Sequence, residues 1–257
     1  MAVKAKPVDT ASLSVLDNAQ MGFNPMVSMV EPERGSFLPT MKLVHPVEVD
    51  LVLPVCGDDG KPIVRNGKPV TESAAGRVVL QSGKGKIEQI KAPYILTAYT
   101  VRGATRKLVE KDGKKVYERT YAKFDGSESS EKHKAAMAEA NDPKTGVMVG
   151  NVALAIVLPN DGANAACVCL MEMFRTQTKY WAEPLKQGML FNKSAIRVTV
   201  EDHSDNMIVS GNGFKYYSYA KFNQWSQVAL SDDQVDLVRE ALRANKSAAD
   251  AWLKQED

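Results

Sequence analysis

The sequence predicts a mostly β chain of short antiparallel strands that ends in helix. Three observations predict it. Short stretches of alternating or β-branched residues follow one another, among them Val47–Val55, Tyr94–Arg102 and Phe191–Glu201. Glycine-containing turns separate them, at Asn66-Gly67, Asp112-Gly113 and Gly211–Gly213. A sustained helical period comes at the end, behind Ser231 and Gln234. Strands linked by tight turns favour a barrel or sandwich over a parallel sheet with crossover helices.

The elements follow in order. Residues 1–34 read as an N-terminal arm, partly flexible, with Met21, Phe23, Met26, Met29 and Val30 able to dock it. From Phe37 strands dominate. Asn66-Gly67 marks a tight hairpin, because both positions tolerate positive φ. Arg77–Gln81 and Ile87–Lys91 read as short strands, and Tyr94–Arg102 as a strong one. Arg106–Lys111 and Lys114–Phe124 flank Asp112-Gly113 and predict a long hairpin. Glu131–Ala140 is alanine-rich enough for a short helix.

Val147–Leu158 and Ala165–Phe174 are predominantly apolar and read as buried strands. Thr178–Gln187 reads as a helical turn broken near Pro184. Ile196, Val198 and Val200 alternate with Arg197, Thr199 and Glu201, so one face is inward. Asn206–Phe222 holds a further strand pair. Ser231 and Gln234 form a capping box, followed by Val235, Leu237, Val238, Ala241 and Leu242 at helical spacing. The predicted organisation is an arm (1–34), a β-barrel domain (35–230) and a C-terminal helical segment (231–257).

Composition excludes several classes. Of 257 residues, 25% are charged and 44% hydrophobic, with a net charge of +2, so the chain is neither disordered nor collagen-like. Three cysteines, Cys56, Cys167 and Cys169, make no disulfide framework and read as reduced thiols. The longest apolar run, Val152–Leu158, is far short of the ~20 residues that span a bilayer. A cytoplasmic protein without membrane attachment is the expectation.

Catalytic signatures are weak. None of His45, His133 and His203 sits in a metal-ligand spacing. Glu201, Asp202, His203 and Asp205 crowd one short segment, which is either a solvated turn or a metal site for nucleic-acid chemistry. Gly83-Lys84-Gly85-Lys86 lacks the phosphate-loop spacing. The expectation is a non-enzyme with no cofactor and no metal.

Charge and aromatics are unevenly spread. Lys84–Lys123 holds eleven Lys/Arg against four Asp/Glu, whereas Ser231–Asp257 holds seven acids against four bases. Two strands mix rings and cations on one face. In Val116–Phe124 that face is Tyr117, Arg119, Tyr121 and Lys123. In Phe214–Phe222 it is Lys215, Tyr217, Tyr219 and Lys221. Such a face is either a half-exposed sheet or a platform for single-stranded nucleic acid, where bases stack on rings and cations follow phosphates. Arg102, Arg106, Lys107, Lys111, Lys114 and Lys115 would then form a mobile basic flap. Trp181 and Trp225 are secondary candidates for stacking.

The segment Phe37-Leu38-Pro39-Thr40-Met41-Lys42-Leu43, followed by short strands, and the tyrosine-rich Phe214–Phe222 resemble bacteriophage single-stranded DNA-binding proteins with an OB-like fold. The likeness covers about two-thirds of the chain in layout. It implies an OB-like antiparallel barrel with long hairpin insertions, phage origin, a role in DNA replication or recombination, and no catalysis. Partners would be single-stranded DNA, or RNA, further copies of the chain, and replication proteins reached through the acidic end. The chain departs from the pattern in lacking a long acidic tail. A phage head, tail or decoration protein is the rival expectation, favoured by the methionine-rich arm and the long hairpin.

Overall fold

The computed structural model describes residues 38–57, 61–83, 86–111, 113–123, 130–162, 165–174, 181, 194–209, 215–217 and 225–254. Among them the fold is mostly β. The principal sheet has nine strands: β1 (Thr40–Leu43), β6 (Val78–Gly83), β7 (Lys86–Gln89), β8 (Tyr94–Lys111), β9 (Lys114–Tyr121), β10 (Val147–Pro159), β11 (Cys167–Phe174), β12 (Ser194–Val198) and β15 (Trp225–Ala229). Their order is β15-β12-β8-β10-β11-β1-β6-β7, with β9 paired to β8 off this path. Most pairings are antiparallel; β1 and β11 run parallel. The path has two ends, so the sheet is not closed into a barrel.

The basis of the sheet is the long β8–β10 ladder. Tyr94 to Lys107 pairs with Pro159 to Val147, with one irregularity between Leu154 and Ala155 that leaves Tyr99 as the extra residue on β8. The sequence predicts two strands, Tyr94–Arg102 and Arg106–Lys111. They form a single strand, because β10 and β9 supply partners straight through Gly103-Ala104-Thr105. Val47–Val55 is corrected the other way. Only Val52–Pro54 (β2) is extended, because turn hydrogen bonds from Glu48 N–H to His45 O and from Leu51 N–H to Glu48 O fold its first half. β2 pairs with β5 (Thr71–Ser73). β3 (Val64–Arg65) and β4 (Lys68–Pro69) meet at the predicted Asn66-Gly67 turn, where both residues have positive φ. β13 (Met207–Val209) pairs with β14 (Lys215–Tyr217), as the sequence predicts around Gly211–Gly213.

Side chains on β10 alternate between two cores. Val152, Leu154, Ile156 and Leu158 face one cluster, and Ala153, Ala155 and Val157 face the other. The first cluster is covered by α2 (Asp232–Ala244) and α3 (Lys246–Leu253), through Val235, Val238, Ala241, Leu242, Ala249, Trp252 and Leu253. The predicted capping box is present: Gln234 N–H donates to Ser231 Oγ, and Ser231 N–H donates to Gln234 Oε1. The C-terminal helices are therefore built into the sheet's core. α1 (Glu131–Glu139) is capped by Ser130 and buries His133 close to Gly103 on β8. No described helix is long and apolar enough to cross a membrane. The expected arm and the Thr178–Gln187 turn, Trp181 apart, lie outside the described residues.

Candidate nucleic-acid interface

The predicted tyrosine–cation face of β9 divides into an interior end and an exposed end. Tyr121, only 9% exposed, sits in the first core cluster. Its ring meets Trp252 edge-on at 6.1 Å, and the Arg102 guanidinium lies 5.1 Å from its centroid. Arg102 is 3% exposed. It donates to Ala122 O (3.0 and 2.6 Å) and to Trp252 O (2.8 Å). The sequence places Tyr121 and Arg102 on an accessible surface; the fold corrects this and puts both inside. The cause is α3, which brings Trp252 onto this part of the hairpin from about 130 residues downstream.

Farther along the same face the surface opens. Tyr117 is 46% exposed. Arg106 lies between two rings, 4.8 Å from the Tyr117 centroid and 4.4 Å from that of Phe174 on β11. Glu172 takes Arg119 Nη2 at 2.6 Å and Arg106 Nη1 at 3.6 Å, one on each carboxylate oxygen. Four strands build this group: β9 gives Tyr117 and Arg119, β8 Arg106, β11 Glu172 and Phe174, and β10 Gly150. Gly150 has no substitute there. A Cβ would fall on the Met173 carbonyl oxygen and 2.7 Å from Phe174 Cδ1.

The other predicted contacts disperse. Lys107 bonds Glu139 of α1 at 2.7 Å. Lys123 is exposed just beyond β9. Lys111, Lys114 and Lys115 belong to the hairpin ladder, where Lys111 pairs with Lys114 and Glu110 with Lys115. In the second row, Lys215 is exposed, while Tyr217 packs against the second core cluster and its N–H donates to His45 Nδ1 at 3.2 Å. Tyr219 and Lys221 lie outside the described residues. Tyr121 and Tyr217 thus belong to clusters on opposite faces of the sheet, and the single two-row groove is corrected on that ground. Trp181 is buried and Trp225 half-buried, both against the second cluster.

The alternative sites also resolve. Glu201 accepts from Gln89, and Asp202 pairs with Arg77 at 3.5 Å and accepts from Ser204 N–H. His203 is buried, and that burial lowers its pKa to about 4 despite the neighbouring Asp202. The segment is committed to holding the ends of the sheet near each other, through the Arg77–Asp202 bridge and the His203 N–H bond to Gly76 O. Among the described residues no three His, Cys, Asp or Glu side chains gather as a metal site. Cys169 is fully buried and Cys167 partly so, and burial raises both thiols, Cys167 to about 11.

Sequence reasoning misses Glu172, Phe174, Gly150 and Trp252 as parts of this surface and its foundation. One signal for Glu172 exists: it is the sole charged residue in the apolar run Ala165–Phe174. No family model, no curated protein and no solved structure matches the chain.

Proposed function

We propose that the chain is a non-catalytic single-stranded DNA-binding protein, serving phage DNA replication or recombination, whose contact surface is the outer part of the β8–β9 hairpin. The observation that carries it is the exposed Tyr117 ring resting on Arg106 with Arg119 beside Glu172. A ring backed by a guanidinium is held in place and leaves its outer side for a base. Stacking of this kind is worth about 1–3 kcal/mol per base and tolerates any sequence. Arg102–Lys123 carries eight Lys/Arg against three Asp/Glu, which favours a polyanion. A two-stranded hairpin suits a flexible strand better than a duplex reader's basic helix. The OB-like relationship belongs to this proposal, since the observed sheet is open.

The test is anisotropy of a labelled oligo-dT, against duplex of the same length, at two salt concentrations. Binding should favour the single strand and weaken as salt rises. Tyr117→Ala should weaken it about 5- to 150-fold with little change in stability, because the ring is exposed. A Tyr117→Ala protein that binds as the parent does refutes the reading.

A structural or assembly role has one observation in its favour. Residues 61–69 are all exposed, and Val52, Ile63 and Val64 present aliphatic surface on the β2–β5 arm. Residues 44–93 contain no Phe, Trp or Tyr, so this arm is suited to protein rather than to bases. That reading predicts concentration-dependent assembly in sedimentation that Val64→Lys abolishes.

A further inference from the structure

Glu172 sets one carboxylate between two arginines of the hairpin. Its two carboxylate oxygens each face one guanidinium, Arg119 at 2.6 Å and Arg106 at 3.6 Å. A phosphodiester presents its two non-bridging oxygens in the same way, and paired guanidiniums recognise either group. The three side chains together carry a net charge of +1, so a charge meant for a polyanion is half-cancelled by an internal acid.

The position of this acid is unusual. It projects from β11 between buried Met171 and Met173, in a run otherwise without charge. A carboxylate there gains no packing from the apolar strand. What it gains is the two arginines. It holds them over a floor of small residues, Ala104 and Gly150, which are directly paired across β8 and β10. Arg106 is further fixed between Tyr117 and Phe174. Among the described residues no ring stacks on Arg119, which is about two-fifths exposed, while Glu172 is about one-fifth exposed, so water reaches their bond from the arginine side. An ion pair that water reaches is screened, and a competing anion can exchange with the acid.

We infer that Glu172 is an internal competitor for phosphate, which pre-positions Arg119 and Arg106 and is displaced from Arg119 when a strand binds. The inference rests on the single-strand-binding reading of the same surface. Its consequence is a restrained affinity and a weaker salt dependence than the bare arginines would give, which suits a protein that must release its strand.

The experiment compares the full chain, Glu172→Gln and Tyr117→Ala for oligo-dT affinity across a salt series. Glu172→Gln keeps the shape and an acceptor for Arg119 but removes the charge. It should raise affinity about 3- to 10-fold at low salt and steepen the log–log salt slope by about 0.7, the increment for one more neutralised phosphate on a single strand. Equal or lower affinity in Glu172→Gln, alongside a weakened Tyr117→Ala, overturns the competitor role while leaving the binding surface in place. No effect of Tyr117→Ala overturns the binding surface itself. Should Glu172→Gln not fold, the unsubstituted protein still decides. The Glu172 carboxyl carbon resonance must move on saturation with oligo-dT, and an unmoved resonance overturns the inference.

Discussion

Replacing Arg102 by methionine separates a foundation from a contact surface. The guanidinium is buried and joins three elements. It reaches the strand end at Ala122 O with two bonds, and Trp252 O with one. Trp252 lies in the last turn of α3, at the negative end of the helix dipole. Arg102 therefore caps α3 from the sheet, while its flat faces contact the Tyr121 and Trp252 rings. Methionine keeps most of the stem volume and removes every donor. The buried Trp252 carbonyl and the half-buried Ala122 carbonyl lose this donor, at up to about 1–3 kcal/mol each, and two cation–ring contacts of about 0.5–2 kcal/mol disappear. Removing a buried charge recovers part of this through desolvation. A net loss of about 3 kcal/mol follows, a large share of the stability of an ordinary domain. Urea unfolding followed by tryptophan fluorescence measures it. Where the variant remains folded, its oligo-dT affinity should equal the parent's. A loss under about 1 kcal/mol, or a large affinity change in a fully folded variant, refutes the structural role.

Other substitutions probe the remaining supports. Gly150→Ala drives a methyl group into the Met173 carbonyl oxygen and the Phe174 ring, so it should lower the urea midpoint sharply and loosen the platform under Arg106. Ser231→Ala removes the α2 cap and should cost about 1 kcal/mol in the same assay without touching binding. His203 is held neutral by burial, with its pKa near 4 against 6.5 for the unfolded chain. Below pH 6.5 the unfolded chain takes up the proton first, so this residue makes stability fall as pH drops and stops doing so near 4. Between pH 7 and pH 5 its share is about 2 kcal/mol, at 1.36 kcal/mol per unit. His203→Gln should flatten the urea-midpoint profile by that amount over that interval, and an unchanged profile would refute the assignment.

The sequence was legible where local chemistry decides the outcome. Asn66-Gly67 makes its turn because both residues accept positive φ, whatever surrounds them. The Ser231–Gln234 box and the apolar stripe behind it make α2, because capping and burial there point the same way. The apolar run Val147–Leu158 becomes the central strand β10, since such a run must be covered on both faces. Arg106–Lys111 was legible as a strand but not as part of β8, because a long ladder partner overrides a Gly-Ala-Thr interruption.

The candidate site was only half legible. Strand alternation alone puts Tyr117, Arg119 and Tyr121 on one face, and it does so correctly. What alternation does not contain is the identity of the element that covers that face. Trp252, remote in sequence, covers Tyr121 and Arg102 and leaves Tyr117 and Arg119 in water. Residue types and their period fix local shape and sidedness; exposure depends on contacts between distant segments. Tertiary packing therefore chose which rings and cations could meet a ligand and which became core.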